Sequence, residues 1–144
     1  MNQRTILRIV FQWALAAVFL YAGVTKLGSP QRFAESIATF SILPNSMINL
    51  VAIGLPPFEI IAGLAIITGI QRRAALLGLV ALTVVFSIAL ASAIIQGIPI
   101  DCGCFGSAKP SASAAWIALG RDIPILIVTL LLYLREVATS RLRN

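Results

Sequence analysis

Histidine is absent from this 144-residue chain, and cysteine occurs only twice. The first absence removes the commonest side-chain ligand for transition metals, and two thiolates alone do not complete a tetrahedral zinc shell. No intrachain metal site is expected, and a site shared with a partner protein is the only metal reading left open. Charge is scarce as well. Asp, Glu, Lys and Arg make up 11% of the residues against 59% hydrophobic, and the mean hydropathy is +0.97. So apolar a composition excludes an ordinary soluble domain and indicates an integral membrane protein. Repeats and low-complexity tracts are not evident, which counts against a carrier built from duplicated halves.

What is present is a set of four apolar runs, over residues 9–27, 48–70, 74–95 and 114–134. Each is long enough to cross a hydrocarbon layer of about 30 Å at about 1.5 Å per helical residue. The expected fold is all-α: one polytopic membrane domain over residues 1–144, a four-transmembrane-helix bundle. The formal charge of +6 does not point to nucleic acid, because the basic residues are dispersed around the apolar runs. Arg4, Arg8, Arg72, Arg73, Arg135, Arg141 and Arg143 fall on one side of such a bundle, seven of the eleven basic residues. The positive-inside rule makes that side cytoplasmic and puts both termini there. Lys26, Arg32, Lys109 and Arg121 fall at or near the opposite face. In a bacterium the expected location is the cytoplasmic membrane. The first run is too long for a signal peptide and lacks a clear small-residue cleavage site, so it is expected to be retained.

Ser29-Pro30 after the first run is a helix-start signal, a capping residue followed by proline at the first helical position. Phe33, Ile37 and Phe40 then recur at i, i+4 and i+7, and Leu43-Pro44 closes the segment. This predicts a short amphipathic helix that lies in the outer interface or packs on the bundle as a loop helix. The second run is expected to open near Asn49 and to be kinked by Pro56-Pro57, which remove backbone donors. The third, without charge and with only small hydroxyl residues, reads as structural. Trp116 and Tyr21 are placed near the outer headgroups, Trp13 and Tyr133 near the inner ones.

Both cysteines occupy the motif Asp101-Cys102-Gly103-Cys104-Phe105-Gly106, in a short polar break between the third and fourth runs. Gly103 lets the chain turn tightly enough for the sulfurs to meet, and a disulfide across so small a loop would be strained and readily reduced. Exposure on the oxidising side of the membrane favours redox chemistry over inert packing, with a structural disulfide as the competing reading.

Charged residues in or beside the apolar runs form the second signal, since holding them in lipid costs free energy unless they pair or line a polar cavity. Lys26 ends the first run, Glu59 is placed in the outer half of the second, and Arg121-Asp122 lies about two turns into the fourth. All four approach the layer beneath the cysteine segment. Pairing of Lys26 with Glu59, and of Arg121 with Asp122 or Glu59, would explain them as structure. A functional role is compatible with that pairing. Lys26 or Arg121 would lower a thiol pKa and Asp101 would oppose that, while Glu59 or Asp122 could relay protons.

At these residues the chain resembles the MauE/DoxX-like redox-associated membrane proteins. The resemblance is carried by Tyr21-Ala22-Gly23-Val24-Thr25-Lys26-Leu27, by Pro30, Phe33, Ile37 and Leu43-Pro44, and by Pro57-Phe58-Glu59 with Gly63. The cysteine motif and Arg121-Asp122 complete it. It implies a four-helix bundle in the cytoplasmic membrane and a part in periplasmic thiol chemistry. For MauE-type members that part is processing or disulfide formation in the small subunit of methylamine dehydrogenase. Other relatives resemble subunits of thiosulfate:quinone oxidoreductase.

The leading expectation is a membrane thiol-disulfide redox protein in which Cys102 and Cys104 exchange electrons with an extracytoplasmic thiol protein or thioredoxin-like partner. A membrane quinone is the one cofactor that this setting suggests. The first alternative is a noncatalytic assembly or docking subunit in which the cysteines form a staple. The second is a small-solute carrier using Lys26, Glu59 and Arg121.

Overall fold

A computed structural model describes residues 3–40, 43–99 and 112–141. Among these residues all regular structure is helical: α1 (Gln3–Gly28), α2 (Pro30–Thr39), α3 (Asn45–Thr68), α4 (Arg72–Ile95) and α5 (Ala112–Arg141). Four of the five, all but α2, are long and apolar enough to cross a membrane. They alternate in direction, so the start of α1, the α3–α4 turn and the end of α5 share one end of the bundle. The other end carries α2, the end of α4 and the start of α5.

Each long helix starts before its apolar run, while α3 ends at Thr68, two residues short of the run's end. α3 starts at Asn45, with extended Pro44 at its N-cap, and not near Asn49. α5 continues past Leu134 to Arg141. Hydropathy marks the length suited to lipid, whereas the hydrogen-bonded helix runs on through polar residues at the membrane edge. α3 is also unbroken across Pro56-Pro57. The two prolines leave carbonyls of the preceding turn without their helical donors but do not end the helix.

α2 begins as anticipated, with Ser29 at the N-cap and Pro30 in the first turn. Its apolar face is not left at an interface. Phe33 and Ile37 are buried against Ile48 and Ala52 of α3, and Phe40 packs with Leu90 and Ala93 of α4 and Ala115 and Ala118 of α5. The helix therefore packs on the bundle.

α1 and α3 approach closely through small residues. A Cβ on Gly23 would lie 2.8 Å from Ile60 Cγ1 and 2.9 Å from the Pro56 carbonyl oxygen, and one on Gly63 would lie 3.0 Å from Leu20. With lipid as apolar as the side chains, such contact is what holds two spans together. The reversal into α4 uses Gly69 at φ 80° and Gln71 at φ 46°. Near this turn Leu15, Ala16, Ile66, Leu76 and Leu79 form an apolar core, and the lipid-facing surface carries Trp13, Tyr21 and Trp116. At the same end Glu136 accepts hydrogen bonds from Arg8 and from Arg72, the latter at 3.1 Å, joining α5 to α1 and α4.

Candidate functional site

A layer of buried charge separates the apolar core near the α3–α4 turn from the clusters around α2. Lys26 is 4% exposed, Glu59 3% and Asp122 5%. Lys26 Nζ donates to Glu59 Oε1 at 2.6 Å, and Arg121 donates to Asp122 Oδ1 at 3.3 Å. The charge pairing read from the sequence is thus present in the fold.

Helix direction explains how these groups meet. Side chains lean towards the N-terminus of their own helix. Lys26 stands in the last turn of α1, so its stem leans back into the membrane and not out to the headgroups. Glu59 lies past the middle of α3, closer to Thr68 than to Asn45, and its side chain leans towards α2. This corrects its expected placement in the outer half of the span. The two stems converge because α1 and α3 run in opposite directions and touch at Gly23, one turn before Lys26. Asp122 reaches the same layer from α5.

These four residues line a cavity of about 50 Å³ together with Thr83 and apolar side chains that include Phe19, Leu55 and Phe86. That volume suits a few water molecules or one polar group of a larger ligand. Within it the formal charges of Lys26, Glu59, Arg121 and Asp122 cancel. Glu59 Oε2 is buried with no hydrogen-bond donor among the described residues. Lys26 Nζ also stands 5.1 Å from the centre of the Phe33 ring and 6.0 Å from that of Phe86, within range of cation–π attraction.

Cys102, Cys104 and Asp101, the centre of the sequence reading, lie outside the described residues. The described residues on either side belong to the α2 end of the bundle: Ile98 and Leu119 pack against the cluster around Phe40, Leu90 and Ala118. Sequence reasoning overlooked Phe86 and Thr83, which sit in the span read as structural. Thr83 left a faint signal as a hydroxyl in an apolar helix; Phe86 left none. Gln12 was also passed over, although it is buried in α1 at 8% exposure with its Nε2 unbonded among the described residues.

The family model described as methylamine utilisation protein MauE matches residues 4–135, nearly the whole chain. The chain belongs to the MauE family. Among curated proteins, the methylamine utilization protein MauE of Paracoccus denitrificans is 30% identical over 125 residues. That match covers 82% of this chain and 66% of the relative, so the chain spans just under two thirds of the relative's length. No solved structure matches. In this MauE-family chain the buried layer therefore belongs to a multi-pass membrane protein, with two ion pairs held inside the bundle.

Proposed function

We propose that this protein is an accessory membrane protein of methylamine utilisation that carries out thiol-disulfide exchange at the outer face of the cytoplasmic membrane. Cys102 and Cys104 are the reacting pair and an extracytoplasmic thiol protein is the partner. The observation that carries the reading is the Cys102-Gly103-Cys104 sequence within a MauE-family membrane chain. Support comes from the bias of arginine towards the termini and the α3–α4 turn, which favours an outward cysteine segment. The buried Asp122, paired with Arg121 on the helix that follows this segment, adds to that support. Kinship with DoxX-like proteins is part of the same proposal and rests on the fragments at residues 21–27 and 57–59.

In the exchange a thiolate of the partner attacks one sulfur of the Cys102–Cys104 disulfide and forms a mixed disulfide. The partner's second thiolate then displaces it. Two electrons and two protons pass to Cys102 and Cys104, which become thiols, and the partner gains its disulfide. A membrane quinone returns the pair to the disulfide by taking the same two electrons and two protons. Acid quenching of intact membranes with thiol alkylation and mass spectrometry tests the reading. Cys102 and Cys104 should interconvert between dithiol and disulfide during partner oxidation. If they never interconvert, and serine replacements leave function intact, a noncatalytic docking subunit is the correct description.

A further inference from the structure

Beside the charged cavity lies a second and larger one, of about 360 Å³, between α2, α3 and α4. The two share Leu55, Leu82 and Phe86 as walls. This cleft is apolar throughout, with Phe33, Phe40 and Phe86 on its inner side, and the Phe40 and Phe86 rings meet edge to face at 6.0 Å. Its rim includes Val85 and Ile88, which are 65% and 63% exposed on the lipid-facing surface of the bundle. A molecule seated here would touch aromatic rings at one end, two of which, Phe33 and Phe86, also stand against Lys26 Nζ, and open lipid at the other.

We infer that this cleft is a binding site for an isoprenoid quinone or quinol, with the ring among Phe33, Phe40 and Phe86 and one ring oxygen directed at Lys26 and Glu59. Three observations select this class of molecule. The formal charges of the described residues that line the cavity cancel, so the head should be neutral; a fatty acid or an acidic phospholipid would bring a charge with no counterpart among them. Glu59 Oε2 is a buried acceptor without a donor among the described residues, and a quinol hydroxyl would supply one. Lys26 Nζ, held between Glu59 and two aromatic rings, is a donor for the oxygen of the same head. The cleft's volume lies within the usual range for small-molecule sites, and its lipid-facing rim gives a prenyl tail its exit. The inference deepens the redox reading, on which only the quinone's role as electron acceptor rests, since the described residues that line the site bind the head without either cysteine.

The test uses the full chain in lipid nanodiscs, an azido-ubiquinone photoprobe, and decylubiquinol as competitor, with labelled peptides mapped by mass spectrometry. Labelling should fall on α2 and on the part of α4 around residues 82–89, and decylubiquinol should suppress it. Val85→Trp, which fills the rim from a lipid-exposed position that the core does not need, should abolish labelling. Glu59→Gln should weaken competition by about tenfold, the equivalent of about 1.4 kcal/mol. The Cys102→Ser/Cys104→Ser variant should label as the parent does, so a failure of the redox reading leaves this result standing. Labelling spread evenly over lipid-facing helices would overturn the inference. So would equal competition by decanol, which would mark the cleft as an acyl-chain groove, retained labelling in Val85→Trp, or lost labelling in the double serine variant.

Discussion

Lys26 Nζ and Glu59 Oε1 stand 2.6 Å apart with both side chains 4% exposed, so α1 and α3 are joined by an ion pair shielded from water and lipid alike. Removing one partner leaves the other charge buried alone, which in protein interiors costs about 3–5 kcal/mol. Lys26→Met and Glu59→Leu should each lower thermal stability sharply. The double variant, with neither charge left to bury, should lie closer to the parent than either single one. Melting of the four proteins in one detergent, followed by far-UV circular dichroism, checks this, and a double variant less stable than both singles would contradict it.

Gly23 decides whether that pair can form. Its hydrogen faces the Pro56 carbonyl oxygen at a distance where a Cβ would sit 2.9 Å away, and backbone cannot rotate aside as a side chain can. Gly23→Ala should therefore destabilise the bundle by about 1–3 kcal/mol, the usual cost of overpacking. Gly54 and Gly120 have open space around the equivalent position. Alanine at either should be neutral or stabilising by up to about 1 kcal/mol through helix propensity. Parallel unfolding measurements on the three variants separate close helix contact from propensity.

Much of this arrangement is legible in the chain itself, and the parts that are not share a physical cause. The four spans follow from hydropathy, α2 from Ser29-Pro30 with the spacing of Phe33, Ile37 and Phe40, and the pairing of Lys26 with Glu59 from the cost of charge in lipid. Position along the span is harder: Glu59 is the midpoint of the apolar run over residues 48–70 but lies past the middle of α3, because the helix starts at Asn45 and ends at Thr68. Phe86 was invisible, since its importance lies in what faces it from α1 and α2. Hydropathy records each residue's preference for lipid and holds nothing about its neighbours on other helices. Gly23 was noticed within a fragment, but its contact with Pro56 depends on how α1 and α3 cross.

Glu136 gathers Arg8 and Arg72 at the other end of the bundle, where the two arginine side chains are 32% and 26% exposed. Exposed pairs are screened and contribute at most about 1 kcal/mol each. Glu136→Gln should reduce stability less than Glu59→Leu, and its deficit should shrink as salt rises. The Glu59→Leu deficit should hardly respond to salt. Melting temperatures between low and high sodium chloride test the contrast, and equal salt sensitivity would show that the buried layer is open to ions.

Orientation governs the whole redox proposal, because thiol-disulfide exchange with an extracytoplasmic partner requires Cys102 and Cys104 to face that compartment. The arginines near the termini and the α3–α4 turn favour retention of those ends on the cytoplasmic side. A membrane-impermeant maleimide should label Cys102 and Cys104, after mild reduction, in intact spheroplasts. In a background of Cys102→Ser/Cys104→Ser, cysteine introduced as Ser140→Cys at the exposed end of α5 should label only in inverted vesicles. Moving positive charge offers a further check: neutralising Arg72 and Arg73 weakens the bias and should yield a mixed population in which each probe labels from both sides. Labelling of the native cysteines solely from the cytoplasmic face would remove the oxidising compartment from their reach, and the chemistry proposed for them with it.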